Sequence, residues 1–473
     1  VLPANAQEPR VLLLSFEEAL SIAAGESETV WVAAAGANRA EGNVLISRSS
    51  LFPQLTGSAA YTRTLRSQFE DISFGGGPPE DPEGEDDAAA DLPFGRPNQY
   101  SLGLSLSQVV FDGGQTLART RAARALRRAA AIDVDAAVAE VFLDVTQGYF
   151  DAQLADRLVE IAESALAQAE ETLRLTQVAE EVGDQSEFEL LRARVARDNQ
   201  IPVVIQRRNL REESYLRLKQ LLNLPLEDDL RLTTEVEDPV PRFAEVSDLS
   251  PEVRAPVRQA AENVTANEEQ LAATRAQRLP AVALTSRYAP VAYPESGLPE
   301  PDDFQNDWTV TLGLSIPIFT GGRLRGEELV ARSNLSEARA RLQQTREAAA
   351  LESRTAVNDL AGARAALESN TSTVAEAERA YSIAQLRFRE GISTQLELTD
   401  ARLLLEQARA NRAQAQRDVQ VARARLALLE DLPLGQGASA ALPLQQTQPV
   451  RQAPATTTIP SPASGAVPGV PNP

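Results

Sequence analysis

Trp308-Thr309-Val310-Thr311-Leu312-Gly313-Leu314-Ser315-Ile316-Pro317-Ile318 alternates without a break between large apolar residues and small or polar ones. Period 2 held over this whole stretch predicts a β-strand with one wholly apolar face. Upstream, Tyr100, Leu102, Leu104 and Leu106 alternate in the same way with Ser101, Gly103, Ser105 and Ser107. Two partner strands are expected after prolines, over about 54–66 and 281–289. They carry Leu55, Ala59, Tyr61, Val282, Leu284 and Tyr288, with Arg63 and Arg287 breaking the alternation. Strands of about 9–11 residues match the tilted span of a bilayer. The candidate lipid-facing residues are Leu102, Leu104, Leu106, Trp308, Val310, Leu312, Leu314 and Ile316. Tyr61, Tyr100 and Trp308 are candidates for an aromatic belt. Four strands cannot close a membrane barrel, and an open edge in lipid leaves backbone groups unpaired. Insertion therefore requires several copies, and three copies of a four-strand unit supply 12 strands.

Each clear strand runs into a glycine pair, Phe111-Asp112-Gly113-Gly114 and Phe319-Thr320-Gly321-Gly322. Gly113, Gly114, Gly321 and Gly322 read as strand-to-helix turns, where glycine permits angles other residues resist. Neither Gly114–Glu181 nor Gly322–Glu390 contains proline, and Ala, Arg, Glu and Leu dominate both. These residues favour helix. Two helices are predicted, about 115–181 and 323–389, each roughly 100 Å long at about 1.5 Å per residue. Globular helices rarely reach that length, which implies coiled-coil packing. Leu360, Leu367, Val374, Tyr381 and Phe388 repeat every seventh residue, as do Val159, Leu166 and Leu173. Such spacing marks a seam against another helix. Further helices over about 187–222 and 395–431 follow breaks at Gly183 and Gly391, giving two antiparallel hairpins with these glycines at their tips.

The hairpins belong to an internal duplication. Phe111, Gly183 and Leu224-Pro225-Leu226 recur as Phe319, Gly391 and Leu432-Pro433-Leu434, all at one offset. The organisation expected is an N-terminal remnant over 1–13, a first repeat over 14–224 and a connector over 225–250. A second repeat over 251–432 and a disordered tail over 433–473 complete it. The loops at 67–99 and 291–307 are acidic and rich in Gly and Pro, which predicts solvated segments on one side of the sheet. Neither has the ligand spacing of a calcium loop. Ala4-Asn5-Ala6 resembles the end of a signal peptide.

Composition excludes several functions. The chain has 473 residues, a net charge of -21, and no cysteine, histidine or methionine. Disulfides, thiol nucleophiles and lipid attachment at cysteine are ruled out, and so is the commonest general base. The acidic balance argues against nucleic acid as a partner. No glycine-rich phosphate loop with its lysine follows a strand. No catalytic residue, metal or cofactor is assigned. A periplasmic coiled-coil adaptor without its own pore shares the heptads and stays open as the alternative.

Taken together, residues 14–432 resemble the TolC-like outer membrane factor family. The likeness rests on Leu51-Phe52-Pro53-Gln54-Leu55, the two glycine-pair strand exits, the tips at Gly183 and Gly391, and the duplication. The resemblance implies a mainly α subunit whose four transmembrane strands join a trimeric 12-stranded barrel. Twelve helices would continue it as a periplasmic tunnel. It implies a homotrimer in outer membrane lipid, meeting a periplasmic adaptor protein and an inner membrane transporter. It further implies passive export by a tripartite efflux pump or type I secretion system. In the resembled family, acids about two turns past the second tip line the constriction. That carries the gate onto Glu397 and Asp400, with Glu189 and Arg192 at the matching places after the first tip. Phe388 and Ser393 stand where a tyrosine and an arginine complete the family's lock, so that lock is not expected here.

Overall fold

The computed structural model describes residues 11–66, 97–237, 249–294 and 297–435. The chain runs β1 (Val11–Leu14), α1 (Phe16–Glu26), α2 (Glu28–Ser49), β2 (Gln54–Arg63), β3 (Asn98–Phe111), α3 (Gln115–Glu181), α4 (Glu187–Leu221) and β4 (Asp229–Leu232). It continues through α5 (Ala255–Ala276), β5 (Ala281–Tyr288), β6 (Val291–Ala292), β7 (Phe304–Gln305), β8 (Trp308–Ser315), α6 (Arg323–Arg389) and α7 (Gln395–Leu428).

The four long strands lie antiparallel in the order β2-β3-β5-β8. Register explains the sequence pattern. Leu55 stands opposite Leu106, and Ala59 opposite Leu102. Leu104 faces Tyr288, while Leu284 faces Leu312 and Val282 faces Leu314. Side chains alternate between faces with period 2, so these residues share one side. Ser101, Ser105, Thr285, Thr309 and Thr311 share the other. Arg287 pairs with Ser105 and Thr309 and so belongs to the polar face. It does not interrupt the alternation, contrary to the expectation. The pairing of β3 with β5 also joins the two repeats in one sheet, with a bulge between Val109 and Phe111.

Several expected boundaries shift. β8 ends at Ser315, leaving Ile316, Pro317 and Ile318 beyond the strand; proline has no N–H to continue a ladder. β1 and β4 form a parallel pair from Val11↔Asp229 to Leu14↔Leu232. Residues 11–13 are thus part of the fold, and the connector is partly regular. Within 291–307, β6 pairs with Tyr100 and Ser101 of β3, and β7 pairs with β6. Ala292 is fully buried there, so that loop is folded and not wholly solvated. The Ala-x-Ala at 4–6, most of the 67–99 loop and most of the tail lie outside the described residues.

The two 67-residue helices α3 and α6 run through two helical levels. On the sheet side α2 packs on α3, and α5 fills the space between α3 and α6. Beyond, α4 replaces α2, and α7 replaces α5. Each level therefore holds four helices side by side. Where the levels meet, β1 and α1 lie across the middle of α3. Leu14, Phe16, Leu20, Val145, Tyr149, Phe150, Leu218 and Leu222 form the main core there. Phe16 contacts Tyr149 edge-on at 5.3 Å between ring centroids. Tyr149 Oη donates to the Leu14 carbonyl at 3.2 Å and accepts from Thr234 N–H at 3.1 Å. Burying each such aromatic contributes about 1.5–3 kcal/mol, which fixes the middle of the helical wall.

In α6, Leu360 and Val374 of the heptad series are buried, and Leu367, Tyr381 and Phe388 are half-buried. In α3 the deepest seam residues are Ala162, Ala169 and Thr176, while Val159, Leu166 and Leu173 are half-buried. Small residues let α3 approach both α4 and α7, so the larger ones flank the seam.

Candidate functional site

The apolar sheet face is uncovered. Trp308, Val310, Leu312 and Leu314 are 64–72 % exposed in the single chain. Leu102, Leu104 and Ile316 are exposed as well, and Leu106 is half-buried. A contiguous apolar face of this kind marks an interaction surface. Its aromatics gather at the end remote from the helices and have partners for their polar atoms. Tyr61 and Tyr100 stack at 4.7 Å, Tyr61 Oη donates to Asn98 at 3.0 Å, and Trp308 Nε1 donates to Ser286 Oγ at 3.0 Å. On the opposite face Thr56 and Ser105 share a hydrogen bond of 2.6 Å between hydroxyls.

At the helix end of the sheet, Gly113, Gly114, Gly321 and Gly322 all have positive φ, from 59° to 90°. Gly113 is doubly constrained, because a Cβ there would lie 2.7 Å from Leu279 Cβ. Asp112 organises its turn by accepting from Gly114 N–H at 3.0 Å and Thr116 N–H at 2.7 Å. Burial pushes the Asp112 carboxyl up, but the bonds from Thr116, Gly114 and Gln115 outweigh it and hold the group below the usual aspartate range. Thr320 replaces it in the second repeat.

The tips are built alike. Gly183 (φ 83°) and Gly391 (φ 67°) reverse the chain. Asp184 N–H returns to the Ala179 carbonyl at 2.8 Å, and Ile392 N–H to that of Arg387 at 2.8 Å. These are the closures of glycine-terminated helices. Ser186 and Thr394 then cap the next helices by accepting from Glu189 N–H and Glu397 N–H, each at 3.4 Å. Both acids therefore occupy the first helical turn, where negative charge meets the positive helix end.

Among the described residues, no hydrogen bond or ion pair joins one of the four expected gate residues to another. Glu397 is exposed and lies 3.9 Å from Arg387, while Asp400 is exposed one turn on. Glu189 and Arg192 are half-buried. Among the described residues no ion pair joins Arg192 to Asp400. Sequence reading missed the groups that link the hairpins instead. Gln395 is buried, and its amide, oriented by its neighbours, donates to Glu189 Oε2 at 2.9 Å and accepts from Ala193 N–H at 3.0 Å. Gln200 of α4 donates to Glu406 of α7 at 3.1 Å. Arg402 is buried beside Tyr381, and burial pushes its guanidinium down from the usual range. The available signal was its place in the stripe Leu398, Arg402, Leu405, where an apolar residue is expected.

An amphipathic sheet continued by paired helical hairpins defines a subunit of an outer membrane channel. Residues 19–224 and 249–429 match the family described as Outer membrane efflux protein, and the chain belongs to that family. It is a transport protein of the outer membrane with helices extending into the periplasm, not an enzyme, and the adaptor alternative is set aside. It is 25% identical over 409 residues to the pyoverdine export outer membrane protein OpmQ of Pseudomonas putida, covering 85% of this chain and 82% of that one. The outer membrane efflux protein BepC of Brucella suis is 24% identical over 82% of this chain and 79% of its own. Among solved structures, the Campylobacter jejuni CmeC outer membrane channel superposes with a TM-score of 0.73 at 19% identity, covering 88% of this chain and 86% of that one. The open state of the Neisseria gonorrhoeae MtrE outer membrane channel gives 0.72 at 20% identity, over 88% and 89%.

Proposed function

We propose that three copies of this chain close a 12-stranded barrel in the outer membrane and a 12-helix tunnel in the periplasm. The observation carrying this reading is the pairing of the sheet. Among the described residues β2 pairs only with β3, and β8 pairs only with β5. A sheet with one apolar face and two open edges leaves a row of unsatisfied backbone groups if placed in lipid alone. Further copies supply the missing partners, and the lipid-facing set then lies on the barrel exterior. The four-helix levels extend the same wall, with α2 and α4 at one edge and α6 at the other.

The assembled tube is a passive exit. Its tips meet a periplasmic adaptor and, through it, an inner membrane transporter that supplies the energy. At the tip, Glu397 and Asp400 form two rings of carboxylates around the constriction. They lie three residues apart, on one helix face, and rings of this kind draw cations into a pore. The relatives include proteins named for pyoverdine export and toluene efflux.

The assembly is tested by replacing one residue on each facing edge, Thr56→Cys in β2 and Thr311→Cys in β8, in a chain that has no other cysteine. Oxidation of the outer membrane protein is expected to yield covalent trimers from the double variant and none from either single variant. Monomer alone, with both cysteines reactive, overturns the assembly.

A further inference from the structure

The helix end of the sheet carries free positive charge in a chain whose net charge is -21. The sheet-proximal helix ends together with their connections to the strands span 44–53, 112–124, 272–280 and 316–332, and they hold 9 arginines and 3 acids. Every one of those acids is engaged. Asp112 holds its turn, Glu327 pairs with Arg323, and Glu328 takes Arg275, Arg278 and Arg332. Among the described residues Arg119, Arg121 and Arg124 are exposed and have no ion pair.

These three stand on α3, which has α2 on one side and α5 on the other. They therefore project from the broad faces of the wall and stay accessible when its edges close. Leu117, Arg121 and Arg124 are spaced i, i+4, i+7 and share one face; Arg119 and Leu126 lie on the opposite one. Running away from the sheet, the first face presents Phe111 on the apolar sheet side, then exposed Leu117, then two unpaired guanidiniums. That is the order of a bilayer boundary, with acyl chains followed by phosphates. Arginine stems lie along apolar surface while their heads reach the headgroup level, and the guanidinium fork matches phosphate oxygens. The opposite face has the reverse order, with Arg119 nearer the sheet than Leu126.

We propose that Arg121 and Arg124, with Leu117 ahead of them, bind the headgroup phosphates of anionic phospholipids in the periplasmic leaflet. The inference depends on placement in the outer membrane and not on the gate. The contact sets the depth of the barrel, holding the sheet–helix junction at the headgroup plane.

The test uses the assembled channel in phosphatidylcholine vesicles doped with spin-labelled phosphatidylglycerol or spin-labelled phosphatidylcholine. The motionally restricted fraction of each label is read by electron paramagnetic resonance. The parent is expected to prefer phosphatidylglycerol, with the preference weakening at high salt. Arg121→Gln with Arg124→Gln should lower that preference by on the order of fivefold or more, from about fivefold per arginine near an anionic surface. Arg121→Lys with Arg124→Lys should keep most of it and guards against misfolding of the glutamine pair. Arg174→Gln with Arg341→Gln removes the same charge elsewhere and should leave it intact. Equal restriction of both labels in the parent overturns the proposal. So does full displacement of the label by millimolar inorganic phosphate, which marks an ion site. Unchanged lipid preference in the glutamine pair, with a shifted anion selectivity of the single-channel current, overturns it in favour of arginines lining the bore.

Discussion

Arg402 of α7 donates from Nη1 to the backbone carbonyl of Ala165 in α3, 2.9 Å away. This bond crosses between the two hairpins and is made by a buried cation. The Ala165 carbonyl also belongs to the helical ladder, so it is a second acceptor site that draws the guanidinium in. Hydrogen bonds to charged groups contribute about 1.5–3 kcal/mol. Arg402→Met, which keeps much of the stem, is expected to loosen α7 from α3. Hydrogen exchange should speed up over 395–410 and 160–170 with little change at the β1–α1 core. Unchanged protection there would show that packing alone holds the hairpins.

The two faces of the sheet differ enough to separate lipid contact from general tolerance. Leu312→Arg puts charge on the apolar face, at a cost of roughly 2–4 kcal/mol at mid-membrane on a barrel exterior. Thr311→Arg puts the same charge on the polar face beside Thr285. The first is expected to reduce outer membrane trimer sharply, measured by membrane fractionation and unheated gel mobility, and the second to leave it near parental levels. Equal yields would reject the assignment of faces.

Much of this was legible in the sequence, and the exceptions have physical causes. The alternation over 308–315 and the long proline-free runs report directly on local structure, so the strand and both 67-residue helices were readable. Arg287 was misread: it follows Thr285 at period 2 and so falls in the polar register, where its partners Ser105 and Thr309 also lie. The β1–β4 pair joins residues more than 200 apart, and two four-residue strands carry too little periodicity to declare themselves. At the α3 seam the buried positions are Ala162, Ala169 and Thr176. Large residues dominate a heptad reading, while close helix contact selects small ones. Gln395 and Arg402 looked like ordinary polar helix residues, since their burial comes from the other hairpin.

The first sheet-to-helix turn is expected to depend on pH through Asp112. Its folded-state pKa is depressed, so the stabilisation it gives is present above the unfolded value of about 3.9. That stabilisation is lost as pH falls through the folded value. Asp112→Ala should cost about 0.5–2 kcal/mol near neutral pH, as for loss of a helix cap. The difference in thermal midpoint between parent and variant should be constant from pH 7 to 5 and shrink below about pH 4. A difference that persists undiminished to pH 3 would mean that the carboxylate charge plays no part in the turn.

For the proposed carboxylate rings, Glu397→Ala with Asp400→Ala should reduce cation preference and weaken block by multivalent cations added on the periplasmic side. Arg387 lies near Glu397, so Asp400→Ala alone is expected to have the larger single effect. Selectivity and block equal to the parent's would remove both residues from the narrowest point.

A pore formed by trimerising through the amphipathic sheet is the assembly proposed for this chain. Its most direct test is single-channel recording from the purified assembly in planar bilayers, with Leu312→Arg protein as the comparison. Discrete conductance steps are expected from the parent, seen only with trimeric fractions, and almost no insertion events from the variant at equal protein. Absence of any conductance from verified trimers, or conductance unaffected by Leu312→Arg, would contradict it.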